Sequence, residues 1–461
     1  MTQDTARPTT RDLGGPAPTG TATAPSVTPT HHRTDKQGTD QRADGPWADV
    51  QRTRRAPVRG RVARALVGRA VRDLDLQLVL PDGTVLGSPG AGAPRLEIST
   101  ERFFDRIGAD LSIGVGEGFQ AGEWAPAPGS DLADVLTPLA ERLTTLVPGW
   151  LKRFRRVLEP SHPADEGGDP EGARSNIARH YDLSNDLFAT FLDETMSYSG
   201  ARFEGAEAQP GEDLLAAAQR HKVDGVLDLA GVRAGSRVLE IGTGWGQLAI
   251  QAAGRGARVH SITLSAEQAR LAQERVAAAG LGDRVTVEVR DYRDIRERYD
   301  AVVSVEMIEA VGYDYWDAYF AAVRAALVPG GRFGLQAITM PHEVMLDSRH
   351  AYTWIHKYIF PGGLIPSVEA IEEAAARAGL RIDGRRRMGD DYARTLREWR
   401  SRFRAGAERV GALGFDAQFQ RVWEYYLAYS EAGFRAGHLD VWQFGLDAGA
   451  GSPAADAGGA R

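Results

Sequence analysis

The stretch VLEIGTGWGQLAI, Val238–Ile250, reads as an apolar strand that runs into a glycine-rich turn and then an apolar helix. Glycine lets a backbone turn tightly and approach a ligand closely. The dinucleotide fingerprint separates its last two glycines by two residues. Here the glycines alternate, at Gly242, Gly244 and Gly246, and an acid, Glu240, precedes them on the strand. With no pyrophosphate to cradle, that carboxylate can meet the positively charged amino group of an amino-acid-like ligand, directly or through water. A purely structural tight turn is the plain alternative.

Strand patterns flank the turn at 238–241, 259–263, 285–289, 301–305 and 331–338. Helical patterns alternate with them, as in SAEQARLAQERVAAAG and YWDAYFAAVRAAL. This alternation predicts an α/β fold with a Rossmann-like, doubly wound parallel sheet. The carboxyl ends of such strands face one crevice, where ligands bind. The second strand ends in SITLSAEQ, at Thr263 and Leu264, without the usual ribose-binding acid. Ser265 suits a helix N-cap there, and Gln268 can reach a ribose. The third strand ends in VRDYRD, placing Asp291 and Tyr292 where an adenine edge would sit; the fourth ends in SVEMIEAVG.

Residues 1–50 are rich in Thr, Pro, Gly, Asp and Arg and poor in large apolar side chains, so disorder is expected. Residues 51–157 read as a smaller α+β accessory domain. It opens with an arginine-rich segment carrying Arg52, Arg54, Arg55, Arg59, Arg61, Arg64, Arg69 and Arg72 around Val62, Leu66 and Val67. That segment is either a solvated helix face or a contact for an anionic surface. LDLQLVLPDGTVLGS follows as a hairpin turning at Asp82-Gly83. PRLEIST is a strand pattern, and ERFFDRIG and DLADVLTPLAERLTTLV are helical ones. A polar linker spans 158–175, the main domain 176–446, and a tail of disordered composition 447–461.

The chain has 461 residues, is 43% hydrophobic and carries a net charge of −7, which disfavours a globally basic nucleic-acid binder. It has no cysteine, so disulfides, cysteine-zinc sites and thiol nucleophiles are excluded. No metal site is expected. Neither a secretory signal nor a run of about 18 apolar residues is visible, so the expected location is cytoplasmic.

Several longer strings carry a resemblance. They are NIARHYDLSNDLFATFLDETMSYS, VLEIGTGWG, TLSAEQ, DYRD, EMIEAVG, WIHKYIFPGGLIPS, YARTLREW and YYLAYSEAGFRAGHLDVWQF. In this order, over more than half the chain, they resemble the cyclopropane-fatty-acyl-phospholipid synthase family, which includes the mycolic acid cyclopropane synthases. The resemblance implies a class I methyltransferase using S-adenosylmethionine to alkylate the double bond of an acyl chain, usually within a phospholipid. It places Tyr198, Ser199, Gly242, Gly244, Gly246, Thr263, Leu264, Gln268, Asp291 and Tyr292 at the cofactor, with Glu240 nearby. Tyr198 as a core tyrosine and Asp291 as a turn residue stay open.

Alkylation of an alkene leaves a carbocation, and a base must then take a proton. In the family that base is a bound bicarbonate, held by a glutamate, a histidine, a tyrosine and backbone groups near a cysteine. Glu309 matches the glutamate and Tyr392 the tyrosine. Gln336 stands at the histidine position and Gly200 at the cysteine position. Glutamine still donates a hydrogen bond and glycine keeps its N–H. His180, in RHYD, is assigned no chemistry. Phe188, Trp354 and Tyr358 read as tunnel lining or as plain core, and Phe360–Gly363 as a loop near the acyl tunnel or an ordinary Pro-Gly turn.

A cyclopropane is the first expectation for the product. The alternative is an exocyclic methylene formed after a hydride shift, the precursor of a mid-chain methyl branch. The expected partners are unsaturated phospholipid acyl chains at the inner membrane surface, a second copy of the chain and, for the methylene product, a flavin- or NADPH-dependent reductase. A non-catalytic lipid-binding protein on the same scaffold is the competing class.

Overall fold

Residues 50, 57–87, 90, 92–142, 184–349 and 351–449 are described by a computed structural model. The expectations for Arg52, Arg54, Arg55 and His180, for the linker and for most of both chain ends lie outside the described residues; where the ends are described they are ordered, since Val50 and Ala448 are buried and Asp447 closes the last strand of the main sheet.

The first layer is small. Helix α1 (Pro57–Ala70) leads into β1 (Gln77–Val79) and β2 (Val85–Gly87), which pair antiparallel as the DG hairpin requires. Gly83 takes φ 83° at the turn, a conformation cheap only for glycine. Then come β3 (Arg95–Ile98), α2 (Arg102–Ala109), α3 (Leu111–Gln120), β4 (Trp124–Pro126) and α4 (Leu132–Glu141). The sheet order is β2-β1-β3-β4. Asp110 and Asp131 cap α3 and α4 by accepting backbone N–H bonds.

The second layer is built on α5 (Leu214–Leu229), β5 (Arg237–Ile241), α6 (Gln247–Gly254), β6 (Arg258–Thr263), α7 (Ala266–Ala278), β7 (Val285–Val289), β8 (Tyr299–Val305), α8 (Trp316–Ala326) and β9 (Leu327–Thr339). After it follow α9 (Val368–Arg377), β10 (Arg381–Arg387), α10 (Gly389–Ala405), α11 (Ala417–Arg435) and β11 (Asp440–Asp447). The sheet order is β10-β11-β9-β8-β5-β6-β7. Strands β7, β6, β5, β8 and β9 are parallel, as the alternation predicts. The edge differs: β11 runs antiparallel to β9, and β10 antiparallel to β11. The order reverses between β5 and β8, so the topological switch point lies at their carboxyl ends. Val238, Leu239 and Ile241 are buried, the pattern of a central strand covered on both faces.

The two layers share one hydrophobic cluster. Phe119 and Trp124 of the small layer pack on Tyr425 of α11 at 5.5 and 6.3 Å between ring centroids. Trp354 packs against Gly116, where a Cβ would come 2.4 Å from the indole. Glu117 accepts from Lys357 Nζ (2.8 Å) and Tyr358 O–H (2.7 Å). Trp354 and Tyr358 are thus used between the layers, and Phe188 is a fully buried core ring. Among the described residues no helix is long and apolar enough to cross a membrane.

Arg400 of α10 ties the layers electrostatically. It donates to both Asp131 oxygens, at 2.8 and 2.7 Å, and to the buried Glu431 Oε2 at 2.9 Å. Breaking a buried pair from one side leaves its partner charge uncompensated. Here Glu431 keeps Arg397 and Arg435, and the partly exposed Asp131 keeps Arg404, so we expect Arg400→Ala to lower the unfolding free energy by about 1–3 kcal/mol, read as a fall in the urea midpoint.

Candidate active site

Glu240 lies at the end of β5, against the glycine turn. Gly242, Gly244 and Gly246 adopt φ of 96°, 51° and 88°, so the turn needs glycine at each alternate position. A Cβ on Gly244 would meet nothing within 4 Å, which leaves the turn's outer side open to a ligand. The Ser261 hydroxyl donates to Glu240 Oε2 at 2.5 Å and lies 2.7 Å from Thr243 Oγ1. Burial pushes the Glu240 carboxyl up to about 8, against the pull of Ser261 and Lys222. A buried acid with so little compensation suits a cationic ligand.

The other cofactor candidates lie at the junction of β6 and α7, just past β7, and at 198–199. Ser265 caps α7 as expected, accepting from Gln268 N–H, and Thr263 Oγ1 donates to Gln268 Oε1 at 3.0 Å. Leu264 is half-buried beside them. Asp291 accepts from Arg293 Nε (2.9 Å), Arg293 Nη2 (2.7 Å) and the Arg293 backbone N–H (2.9 Å). These bonds cap the turn at 291–294. Tyr292 meets Tyr319 edge-on at 5.5 Å. The Tyr198 hydroxyl lies 2.8 Å from that of Tyr426, and its ring packs on Trp399 at 5.2 Å. Ser199 Oγ accepts from Lys222 Nζ at 2.6 Å.

Across the switch point, Gly200, Gln336 and Tyr392 come together, but around Glu306 rather than Glu309. Glu306 Oε1 accepts from the Gly200 N–H (2.9 Å) and from Gln336 Nε2 (2.8 Å), and Oε2 accepts from the Tyr392 hydroxyl (2.7 Å). Gly200 makes room for this: a Cβ there would sit 3.0 Å from Cγ of the Tyr392 ring. Glu309 is placed differently. Its Oε1 accepts from the Ile338 N–H (2.5 Å), and its buried Oε2 has no hydrogen-bond partner. Burial, reinforced by repulsion from Glu306, pushes Glu309 up to about 8.

Glu306, Lys222 and Gln443 are members of this site that the sequence reading did not single out. Glu306 stands just past β8 with φ 50°, a left-handed conformation that costs a non-glycine residue of order 1 kcal/mol or more. Its position three residues before Glu309 in EMIEAVG was the available signal. Lys222 is a buried cation inside α5, pulled down to about 8 by desolvation against the carboxylates of Glu306, Asp193 and Glu240. Gln443 of β11 donates to Gln336 Oε1 (3.0 Å) and accepts from Arg386 Nη1 (3.3 Å). Arginine cannot accept, so Arg386 fixes the amide of Gln443, Gln443 fixes that of Gln336, and Gln336 must present its N–H to Glu306. Gly225 on α5 leaves the space, since a Cβ there would lie 2.6 Å from Gln443 Oε1.

Comparison with known proteins identifies the family. The family model described as mycolic acid cyclopropane synthetase matches residues 169–444. The tuberculostearic acid methyltransferase UfaA1 of Mycobacterium tuberculosis is 52% identical over 410 residues, 87% of this chain and 95% of that protein. The cyclopropane-fatty-acyl-phospholipid synthase of Escherichia coli is 34% identical over 360 residues, 77% of this chain and 88% of that one. Among solved structures, mycolic acid cyclopropane synthase CmaA1 complexed with SAH and CTAB superposes with a TM-score of 0.53 at 31% identity, covering 59% of this chain and 98% of that one. This chain belongs to the mycolic acid cyclopropane synthetase family and is an S-adenosylmethionine-dependent methyltransferase.

Glu240 makes stability pH-dependent. In the unfolded chain it loses its proton near 4.5, whereas in the fold it keeps it to about 8. Its contribution is full below the first value and is lost as pH rises towards the second. Thermal midpoints measured between pH 5 and pH 8 should therefore fall less steeply in Glu240→Gln than in the wild type.

Proposed function

We propose that this methyltransferase alkylates the double bond of an unsaturated acyl chain in a phospholipid, and that its product is an exocyclic methylene, the precursor of a mid-chain methyl branch. The observation that carries this choice is the likeness, over most of both chains, to a protein named as a methyltransferase of a fatty acid and not as a cyclopropane synthase. A cyclopropane is the second reading, favoured by the family description and by the synthase of Escherichia coli.

When bound, S-adenosylmethionine supplies an electrophilic methyl group. The alternate-glycine turn would hold its amino-acid part, with the Glu240 carboxyl meeting the ammonium; Tyr198, Ser199, Thr263, Leu264, Gln268, Asp291 and Tyr292 would complete the proposed binding set. An alkene is a weak nucleophile, so holding it in line supplies much of the rate. After methyl addition the acyl chain carries a carbocation. A hydride shift moves the charge to the methylated carbon, and loss of a proton from the new methyl gives the methylene. Loss of that proton before the shift, with ring closure, gives the cyclopropane. The carboxylates at the switch point, Glu306 and Glu309, are the proposed acceptors of that proton. Saturating the methylene needs a hydride donor, which a flavin- or NADPH-dependent reductase provides.

The substrate lies in a membrane, and α1 carries features for reaching one. Val58, Val62 and Leu66 recur every fourth residue and are 67%, 56% and 51% exposed, with Arg59, Arg61, Arg69 and Arg72 exposed around them. Residues four apart share one helix face. Apolar side chains at an interface with arginines meeting phosphates are the anatomy of a surface-lying helix. The reading is peripheral attachment to an anionic leaflet from the cytoplasmic side. Glu101 and Asp82 pair with Arg64, so that arginine is held by the small layer.

Two measurements test this reading. Purified protein with S-adenosylmethionine and dioleoyl phospholipid should release S-adenosylhomocysteine, and proton NMR of the lipid should show vinylidene signals and no high-field cyclopropane signals. The reverse NMR pattern would establish the second reading. In flotation assays, Val62→Asp with Leu66→Asp should weaken binding to vesicles containing phosphatidylglycerol by about tenfold or more, because apolar burial is worth about 1.5–3 kcal/mol per side chain. Raised salt should weaken the wild type as well.

A further inference from the structure

Three of the four groups that would hold a base drawn from solution are already engaged; the fourth, Glu309, keeps one buried oxygen without a partner. By resemblance, a bicarbonate would take its hydrogen bonds from the backbone at Gly200, from the residue at Gln336 and from Tyr392. All three donate to the Glu306 carboxylate, at 2.9, 2.8 and 2.7 Å. A second anion in that cradle would find its donors occupied and a like charge in contact. These residues do not fit a free bicarbonate.

We propose that Glu306 itself is the proton acceptor of the alkylation, a carboxylate of the chain standing where the family holds a free anion. The inference rests on the alkylation reading above. Four observations carry it. The donors come from three separate parts of the fold, just past Ser199, on β9 and on α10, and their directions match an anionic acceptor. The direction of the Gln336 amide is imposed by Gln443 and Arg386, so the cradle is built for an acceptor and not merely compatible with one. Glu306 sits at a left-handed φ of 50° that favours glycine, and a costly backbone at a ligand crevice points to a functional demand. It keeps part of its surface accessible, and its neighbour Met307 packs 3.6 Å from where a Cβ of Gly242 would lie, so the carboxylate and the cofactor turn are adjacent.

The chemistry balances. The C–H bond of the added carbon breaks, its electron pair forms the new C=C bond or the ring bond, and the proton passes to a Glu306 oxygen, leaving a neutral carboxylic acid that returns the proton to water. Burial raises Glu306 above the ordinary carboxylate range, opposed by its donors and by Lys222, and a base raised towards neutrality accepts a proton more readily. Glu309, held protonated up to about 8, is the neutral member of the pair. The base role thereby passes from a bicarbonate held in part by Glu309, as the resemblance implies, to Glu306.

The full-length protein tests this in two ways. First, line widths of 13C-labelled bicarbonate should show no binding to the wild type and binding to Glu306→Gly, whose backbone suits that φ. Binding to the wild type would overturn the proposal, and so would failure to bind a Glu306→Gly protein that still binds S-adenosylhomocysteine. Second, with dioleoyl phospholipid vesicles, wild-type release of S-adenosylhomocysteine should be unchanged in carbonate-free buffer. Glu306→Gln should lose about 10²-fold or more in rate, the usual worth of a general base, with S-adenosylhomocysteine affinity kept within about threefold. Glu309→Gln should lose less than Glu306→Gln. A wild type that stops without bicarbonate, or a Glu309→Gln loss larger than that of Glu306→Gln, would overturn the assignment. Absence of wild-type turnover in every buffer would refute the alkylation reading instead, while the bicarbonate-binding arm still decides what the cradle holds.

Discussion

The site turns on one constraint: a carboxylate is held in a poorly solvated crevice at the switch point of the sheet. Taking a carboxylate out of water is costly unless donors replace the lost solvent. The fold meets that demand at Glu306 with two N–H groups and a hydroxyl. It meets it only in part at Glu309 and Glu240, which burial therefore drives towards their neutral forms. Three carboxyls at one sheet edge thus do not behave alike. The difference between them is a matter of how many donors each was given.

Those donors depend on residues well outside the crevice. Arg386 on β10 orders Gln443 on β11, which orders Gln336 on β9. The antiparallel strands added to the parallel core are therefore part of the site. Gly200 and Gly225 act by what they lack: a side chain at the first would push Tyr392 aside, and one at the second would displace Gln443. Seen this way, Gly200 and Gln336, read from the sequence as departures from a family pattern, form one consistent set with Glu306.

The small layer reaches the site through α10. Arg400 lies two turns along that helix from Tyr392 and is clamped by Asp131 of the small layer and Glu431 of α11. Glu117 holds the segment that carries Lys357 and Tyr358. The proposed membrane-facing helix, α1, therefore belongs to the same packed body as the carboxylate cradle. Docking on a lipid surface and presentation of an acyl chain to the crevice would involve one continuous structure.

The sequence by itself determined the parallel core, the alternate-glycine turn, the Ser265 cap and the DG hairpin, because these follow from local periodicity and turn chemistry that neighbouring residues encode together. The family resemblance grouped Gly200, Gln336 and Tyr392, and the structure brings them together at Glu306. The sequence did not give the antiparallel edge, since the β10 pattern RIDGRRR has no apolar face to announce a strand. It pointed to Glu309 over Glu306 because the two are three residues apart in one motif and nothing local separates their roles. Only the tertiary structure decided between them. Hydrogen-bond donors from β9, from α10 and from the segment before Ala201 meet at one carboxylate, and their convergence is a property of the packed fold that no stretch of chain contains.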